Sequence, residues 1–259
     1  MWKRPILIIV IIGVVIMVHG QADFGAYAAK KTVGSMADNA ELAARLGSIV
    51  TFDRRGDIVW LDNFEGDVDK WGQFPDGVGS EIVISPDAAR NGSFSGKLTT
   101  GNLENDSCRI RHYSPLPATS RIGFEISFTS NNDLKILHFI QTVYDGSYEH
   151  TAKLQYFPAT DVLYYLNHLN APVVLATDLI LSPFNYVFHT IKIVIDLDTY
   201  KYVRAILDEV EYDMSAFGYY HPVEPAVEPH WEQEILITTG VDSNESIHID
   251  DAIATQNEP

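Results

Sequence analysis

The chain has 259 residues, 46% of them hydrophobic and 20% charged, which are the proportions of a folded globular protein and exclude wholesale disorder. Lys and Arg number 18 against 35 Asp and Glu, a formal charge of −17 that argues against phosphate backbones as partners, so no nucleic acid is expected. The single Cys108 excludes an internal disulfide framework and a multi-cysteine zinc site, and its setting in Ser107-Cys108-Arg109-Ile110-Arg111 suits a small buried hydrophobe.

Residues 1–20 place Lys3 and Arg4 before an apolar run from Ile6 to Val18. As a helix that run spans only about 20 Å, short of a hydrocarbon core of roughly 30 Å. A secretory signal cut after Gly20 or Ala22 is expected, with an uncleaved anchor as the alternative. The protein is therefore expected to be secreted or on a cell surface, touching a membrane only through 1–20. Residues 21–47 read as a helical arm. Ser35 and Asp38 resemble a capping box, Met36, Ala40, Ala43, Ala44 and Leu46 share one side, and Gly47 sits where a helix ends. So narrow a stripe is unstable alone, so the arm must pack on its own sandwich, on an identical chain as a homo-oligomer, or on a larger assembly. Two β-rich runs, 48–52 and 57–61, then flank Asp53-Arg54-Arg55-Gly56 and predict a hairpin with Gly56 at positive φ.

Beyond residue 58 the hydrophobic period is two. Ile122, Phe124, Ile126 and Phe128 alternate, as do Ile191, Ile193, Ile195 and Leu197, and Ile247, Ile249 and Ile253 repeat the pattern near the end. Turn clusters such as Asn91-Gly92-Ser93 and Asp145-Gly146-Ser147 separate the runs. The expected architecture is all-β: a two-sheet antiparallel sandwich over 48–259, preceded by the arm. The stretch His221-Pro222-Val223-Glu224-Pro225-Ala226-Val227-Glu228-Pro229-His230 is expected to be a long loop that either carries function or covers a sheet edge.

Three segments resemble a known family. Leu61-Asp62-Asn63-Phe64-Glu65-Gly66 with Trp71, and Gly92-Ser93-Phe94-Ser95-Gly96-Lys97-Leu98, look like the opening of a carbohydrate-binding-module-like jelly roll. Ser246-Ile247-His248-Ile249-Asp250-Asp251-Ala252-Ile253 looks like its last strand. His189–Tyr202 resembles the hairpin of concanavalin A-like and laminin-G-like sandwiches. The resemblance spans roughly 60–256 and specifies fold more than ligand. It implies a structural calcium between first and last strands, with Asp62, Glu65 and Asp251 as ligands and Asp250 as an alternate.

Catalytic motifs are scarce. The nearest match to the E-x-D-x-x-E strand of laminarinase-like enzymes is Glu209-Val210-Glu211-Tyr212-Asp213, which lacks the last position and reads as an edge hairpin. The nine histidines are scattered singly. Aromatics are the remaining site candidates, because sugar rings stack on planar side chains. Tyr165, Tyr148 and Gln155 are expected to line a concave surface, and Tyr219, Tyr220 and Trp231 to form a second patch beside the proline loop. The sequence thus predicts a non-catalytic module binding polysaccharide or another glycan. Two alternatives stand beside it: a structural or assembly protein, such as a phage virion or tail component built through the arm, and a glycoside hydrolase using Glu209, Glu211 and Asp213.

Overall fold

The computed structural model describes Asp53 and residues 55–259. The segment 1–20, the arm 21–47 and the first run of the hairpin, 48–52, lie outside the described residues. The chain forms β1 (Asp57–Asp62), β2 (Gly72–Pro75), β3 (Glu81–Ser85), β4 (Ser95–Thr99), β5 (Ser107–Ser114), β6 (Arg121–Thr129), β7 (Leu134–Tyr144) and β8 (Glu149–Phe157). After one 3-10 turn at Pro158–Thr160 come β9 (Val162–Leu166), β10 (Pro172–Ala176), β11 (Phe188–Asp196), β12 (Lys201–Leu207), β13 (Val210–Asp213), β14 (His230–Thr239) and β15 (Ser246–Gln256).

The first sheet runs β13-β12-β11-β6-β15-β4-β3, with β1 also paired to β15, and the second runs β10-β9-β8-β7-β14-β5-β2. Every strand pairing is antiparallel. This is the two-layer jelly-roll sandwich expected from the period-two pattern. Early and late segments close it, since Asp57 faces Gln256 and Asp62 faces Ala252. Gly56 has φ of +81°, a backbone state that glycine adopts without steric cost.

The alternating residues make the core. Ile122, Phe124, Ile126 and Phe128 of β6 and Ile191, Ile193 and Ile195 of β11 are fully buried against Phe139, Leu154, Ile235 and Ile237 of the other sheet. Each such burial stabilises by about 1.5–3 kcal/mol before chain entropy is counted. The last strand departs from the expected phase. Register shifts between Asp250 and Ile253, and Asp251 sits at φ of +46°. This bulge sends Ala252 and Ala254 into the core cluster after Ile249, so Ile253 faces the outer side, opposite exposed Leu61.

A charge cluster is buried on the outer face of the first sheet. Lys192 Nζ lies 2.7 Å from Glu258 Oε1 and 3.1 Å from Asp53 Oδ2, and Arg204 pairs with the same two carboxylates. The proline-rich segment runs beside β8. Glu149 N donates to Pro222 O and Thr151 N to Tyr220 O, while Glu224 N reaches Ser147 O. It covers the edge that β9 leaves open, because β9 pairs β8 only over Leu154–Phe157.

Candidate functional site

Trp231, Ile235 and Ile237 of β14 enter the core, so alternation places His230, Glu232, Glu234 and Leu236 on the outer face of the second sheet. Register then lays rows of side chains across that face. One row is Tyr113, Glu232, Thr142 and Thr151; the next is Arg111, Glu234, Ile140 and Lys153; a third is Arg109, Leu236, His138, Gln155 and Tyr164.

Arg111 organises the β5–β14 half. Its NH1 donates to Glu232 Oε1 at 3.0 Å, and its Nε and NH2 donate to Glu234 Oε2 at 2.7 and 2.5 Å. Burial opposes the guanidinium charge, but Glu234 and then Glu232 outweigh it and hold its pKa above the ordinary arginine value. His230 Nε2 lies 2.9 Å from Glu232 Oε1, and the ring stacks on Tyr144 at 4.9 Å with Tyr113 at 5.7 Å. Glu232 and Glu234 are only 7% and 6% exposed. Each nevertheless keeps one oxygen, Glu232 Oε2 and Glu234 Oε1, without a hydrogen-bond partner among the described residues.

The β7–β8 half is built differently. Thr142 and Thr151 hydroxyls are 3.0 Å apart, and Thr151 donates to Glu149 at 2.6 Å. Gln155 Nε2 lies 3.1 Å from His138 Nδ1. Burial, and then the charge of Lys153, lower the His138 pKa to about 3, so the ring is neutral over the working pH range. At the far end a cavity of about 520 Å3 is lined by Phe74, Arg109 and Leu236 among others, with Arg109 over the Phe74 ring at 4.8 Å. Rings beside fixed donors and free acceptors suit a ligand that is both hydroxyl-rich and apolar-faced.

Of the residues expected to bind ligand, Gln155 stands on this face. Tyr165 does not. It is 5% exposed, edge-on to core Tyr202, and its neighbour Tyr164 takes the outer position. The outward assignment of Tyr165 is corrected by strand phase, because Leu163 and Tyr165 share the inward side. Trp231 is likewise an inward residue and not part of a patch beside the proline segment. It lines a second cavity of about 430 Å3 with Trp60, His112 and Tyr113, and its indole N–H has no hydrogen-bond partner among the described residues. Tyr148 is 38% exposed, next to His150 and His221, where the proline segment meets β8. Sequence reading missed Glu232, Glu234, Arg111, His138 and Lys153. The run Trp231-Glu232-Gln233-Glu234-Ile235 carried a signal, since its apolar phase sets both glutamates together on the opposite side.

The carboxylates expected to hold calcium are divided between two jobs. Asp62 accepts from Lys70 Nζ at 2.7 Å and Phe64 N at 3.2 Å through Oδ1 and from Trp71 Nε1 at 2.9 Å through Oδ2. Glu65 accepts from Ser93 N and Phe94 N. Asp250 accepts from Arg90 N and Asn91 N, and Asp251 from Asn91 Nδ2 at 2.7 Å. Among the described residues no three acidic, His or Cys side chains are grouped to hold a metal ion. Glu211 and Asp213 lie on β13, the edge strand of the first sheet, with Glu211 paired to Arg55. Cys108 is fully buried, and burial pushes its thiol pKa up to about 11.

No family model and no curated protein matches this sequence. Solved structures match its fold. An endo-β-1,4-glucuronan lyase from the fungus Trichoderma reesei aligns at a TM-score of 0.52 and 10% identity, over 77% of this chain and 95% of that one. A Bacillus subtilis protein with a galectin-like fold aligns at 0.52 and 12%, over 78% and 97%. An endo-1,3-β-glucanase from Streptomyces sioyaensis aligns at 0.50 and 12%, over 80% and 99%. The chain is a jelly-roll β-sandwich of the concanavalin-like and galectin-like kind. At these identities the likeness is one of fold.

Proposed function

We propose that this protein is a non-catalytic glycan-binding sandwich and that the outer face of its second sheet is the binding surface. One observation carries the reading: Arg111 clamps Glu232 and Glu234 side by side, leaving one acceptor oxygen on each, next to the Tyr144–His230–Tyr113 rings. Sugar hydroxyls need such fixed acceptors, and sugar C–H faces need such rings. The fold neighbours support a carbohydrate ligand, since two of them are named for a glucuronan and a 1,3-β-glucan. Binding is favoured over hydrolysis because the same guanidinium holds both carboxylates. A retaining glycosidase needs one carboxyl to give up a proton while the other attacks the sugar, at a separation of about 5–5.5 Å. The alternative acids Glu209, Glu211 and Asp213 lie on and beside an exposed edge strand.

A glycan array with wild-type protein, followed by titration of the best ligand, tests the proposal. Tyr144→Ala and Glu232→Gln are each expected to weaken binding about tenfold or more, while Glu211→Gln leaves it unchanged. Failure to bind any glycan would end the reading. Export is part of the same proposal, motivated by Lys3, Arg4 and the apolar run Ile6–Val18. A mature N-terminus at residue 21 or 23, read by mass spectrometry of secreted protein, supports it; retention of residues 1–20 counts against it.

A further inference from the structure

Lys153 is the residue on the candidate face that nothing yet explains. It stands in the middle of β8, facing outward between Thr151 and Gln155 and opposite Ile140. Its side chain is only partly exposed, and burial lowers its pKa, an effect that the charges of Glu234 and Glu149 partly offset. Despite those nearby charges its ammonium forms no ion pair and no side-chain hydrogen bond among the described residues. Every other cation on this face is engaged: Arg111 by two carboxylates, and Arg109 by the Phe74 ring and, at 3.9 Å, by Glu234. Partly desolvating a cation without a partner costs free energy, so an unpaired Lys153 is not explained by stability.

A second donor without a protein partner among the described residues sits beside it. Gln155 presents its amide nitrogen to His138 Nδ1, so with the amide in this orientation Nδ1 accepts, and the neutral ring carries its proton on Nε2. No acceptor faces that Nε2 among the described residues. His138 and Lys153 are diagonal neighbours on adjacent antiparallel strands, within reach of one small group. The β7–β8 half of the face therefore offers an ammonium and an imidazole N–H with nothing to receive them. The β5–β14 half has the opposite character, with two carboxylate oxygens left to accept.

We propose that Lys153 and His138 form an anion subsite that receives the carboxylate of a uronic acid residue, so that the glycan bound on this face is an acidic polysaccharide. The inference rests on the reading of that face as a glycan-binding surface and adds the ligand's charge class. The polarity of the face then sets the sugar's register: hydroxyls donate to Glu232 and Glu234, while the sugar carboxylate accepts from β7 and β8. The formal charge of −17 opposes any polyanion at long range, as it does nucleic acid, but physiological salt screens most of that repulsion and leaves the local contact to decide. At 0.15 M ionic strength, charges more than about 8 Å away are largely screened, whereas a partly buried contact is not.

The test is titration calorimetry at 0.15 M salt with polygalacturonate, alginate and a β-linked polyglucuronate, each beside its carboxyl-reduced counterpart. The probes in each pair differ only in the carboxylate. At least one polyuronate is expected to bind ten times more tightly than its reduced form. Lys153→Met keeps the aliphatic stem and hence the fold, and it is expected to abolish that preference, so that the variant binds the polyuronate no more tightly than the reduced polymer; Lys153→Arg is expected to retain it. Far-UV circular dichroism and the melting temperature verify that each variant is folded. If reduced polymers bind as tightly as the acidic ones, or Lys153→Met keeps the preference, the anion subsite is wrong while glycan binding stands. If wild type binds neither member of any pair and no neutral glycan, both readings fall.

Discussion

Lys192 and Lys153 each carry an ammonium out of bulk water, on opposite sheets, and their surroundings give them opposite uses. Lys192 is 1% exposed and held between Glu258 and Asp53. Removing its charge leaves buried Glu258 with Arg204, and buried Asp53 with Arg204 and Arg55, to balance them. Lys192→Met is therefore expected to cost about 3–5 kcal/mol, read as a lower urea midpoint. Lys153 has no such partners, so Lys153→Met is expected to change stability by less than about 1 kcal/mol. Equal losses in the two variants would show that Lys153 is structural. The sequence distinguishes neither lysine, because what separates them is the charge brought across by another strand. Tyr164 and Tyr165 show the same limit. Alternation in Val162–Leu166 has two phases, each containing a tyrosine and an aliphatic residue, and only packing against Tyr202 sets Tyr165 inward.

Strands were legible wherever one phase was purely apolar, as in β6 and β11. They were misread where the backbone changes phase: the Asp250–Asp251 bulge in β15 turns Ile253 outward, and no local composition announces it. Glu232 and Glu234 could be placed on one side of β14 from sequence, but their meeting with Arg111 depends on β5 lying beside β14, a pairing between distant segments. The proline-rich segment reads correctly as an edge cover. Replacing Pro222–Pro229 by a short Gly-Ser linker would remove the partners of Glu149 N and Ser147 O, leaving an open edge at the start of β8. Concentration-dependent association by light scattering is the expected result. A variant that stays monomeric at high concentration would show that the segment does not protect that edge.

For the whole molecule, acid stability follows from groups whose proton affinity changes on folding. Burial lowers the pKa of His112, His138 and His248 from 6.5, in the case of His138 to about 3. Below about 6.5 the unfolded chain binds protons that these rings refuse, so stability falls as pH drops. Asp53 adds to the loss at lower pH: burial pushes its pKa up, but Arg55 and Lys192 hold it well below the usual carboxylate range. Asp250 works the other way. Burial and the Asp251 charge raise it to about 6, so between pH 6 and 3.8 the folded state keeps a proton that the unfolded state has lost, and stability gains as pH falls. Asp250→Asn removes that compensation and is expected to steepen the decline between pH 6 and 4, measured by urea unfolding at successive pH values. Parallel profiles for variant and wild type would refute the assignment. Neither charge nor composition revealed these opposing contributions, because each depends on a depth of burial that only the assembled sandwich defines.

The binding face itself is tested most directly by amide chemical-shift mapping during titration with the tightest-binding oligosaccharide. Shifts concentrated on β5, β7, β8 and β14, centred on Arg111, His138, Lys153 and Glu234, are the predicted result. Shifts confined to the first sheet, or to the cavity beside Trp60 and Trp231, would contradict it.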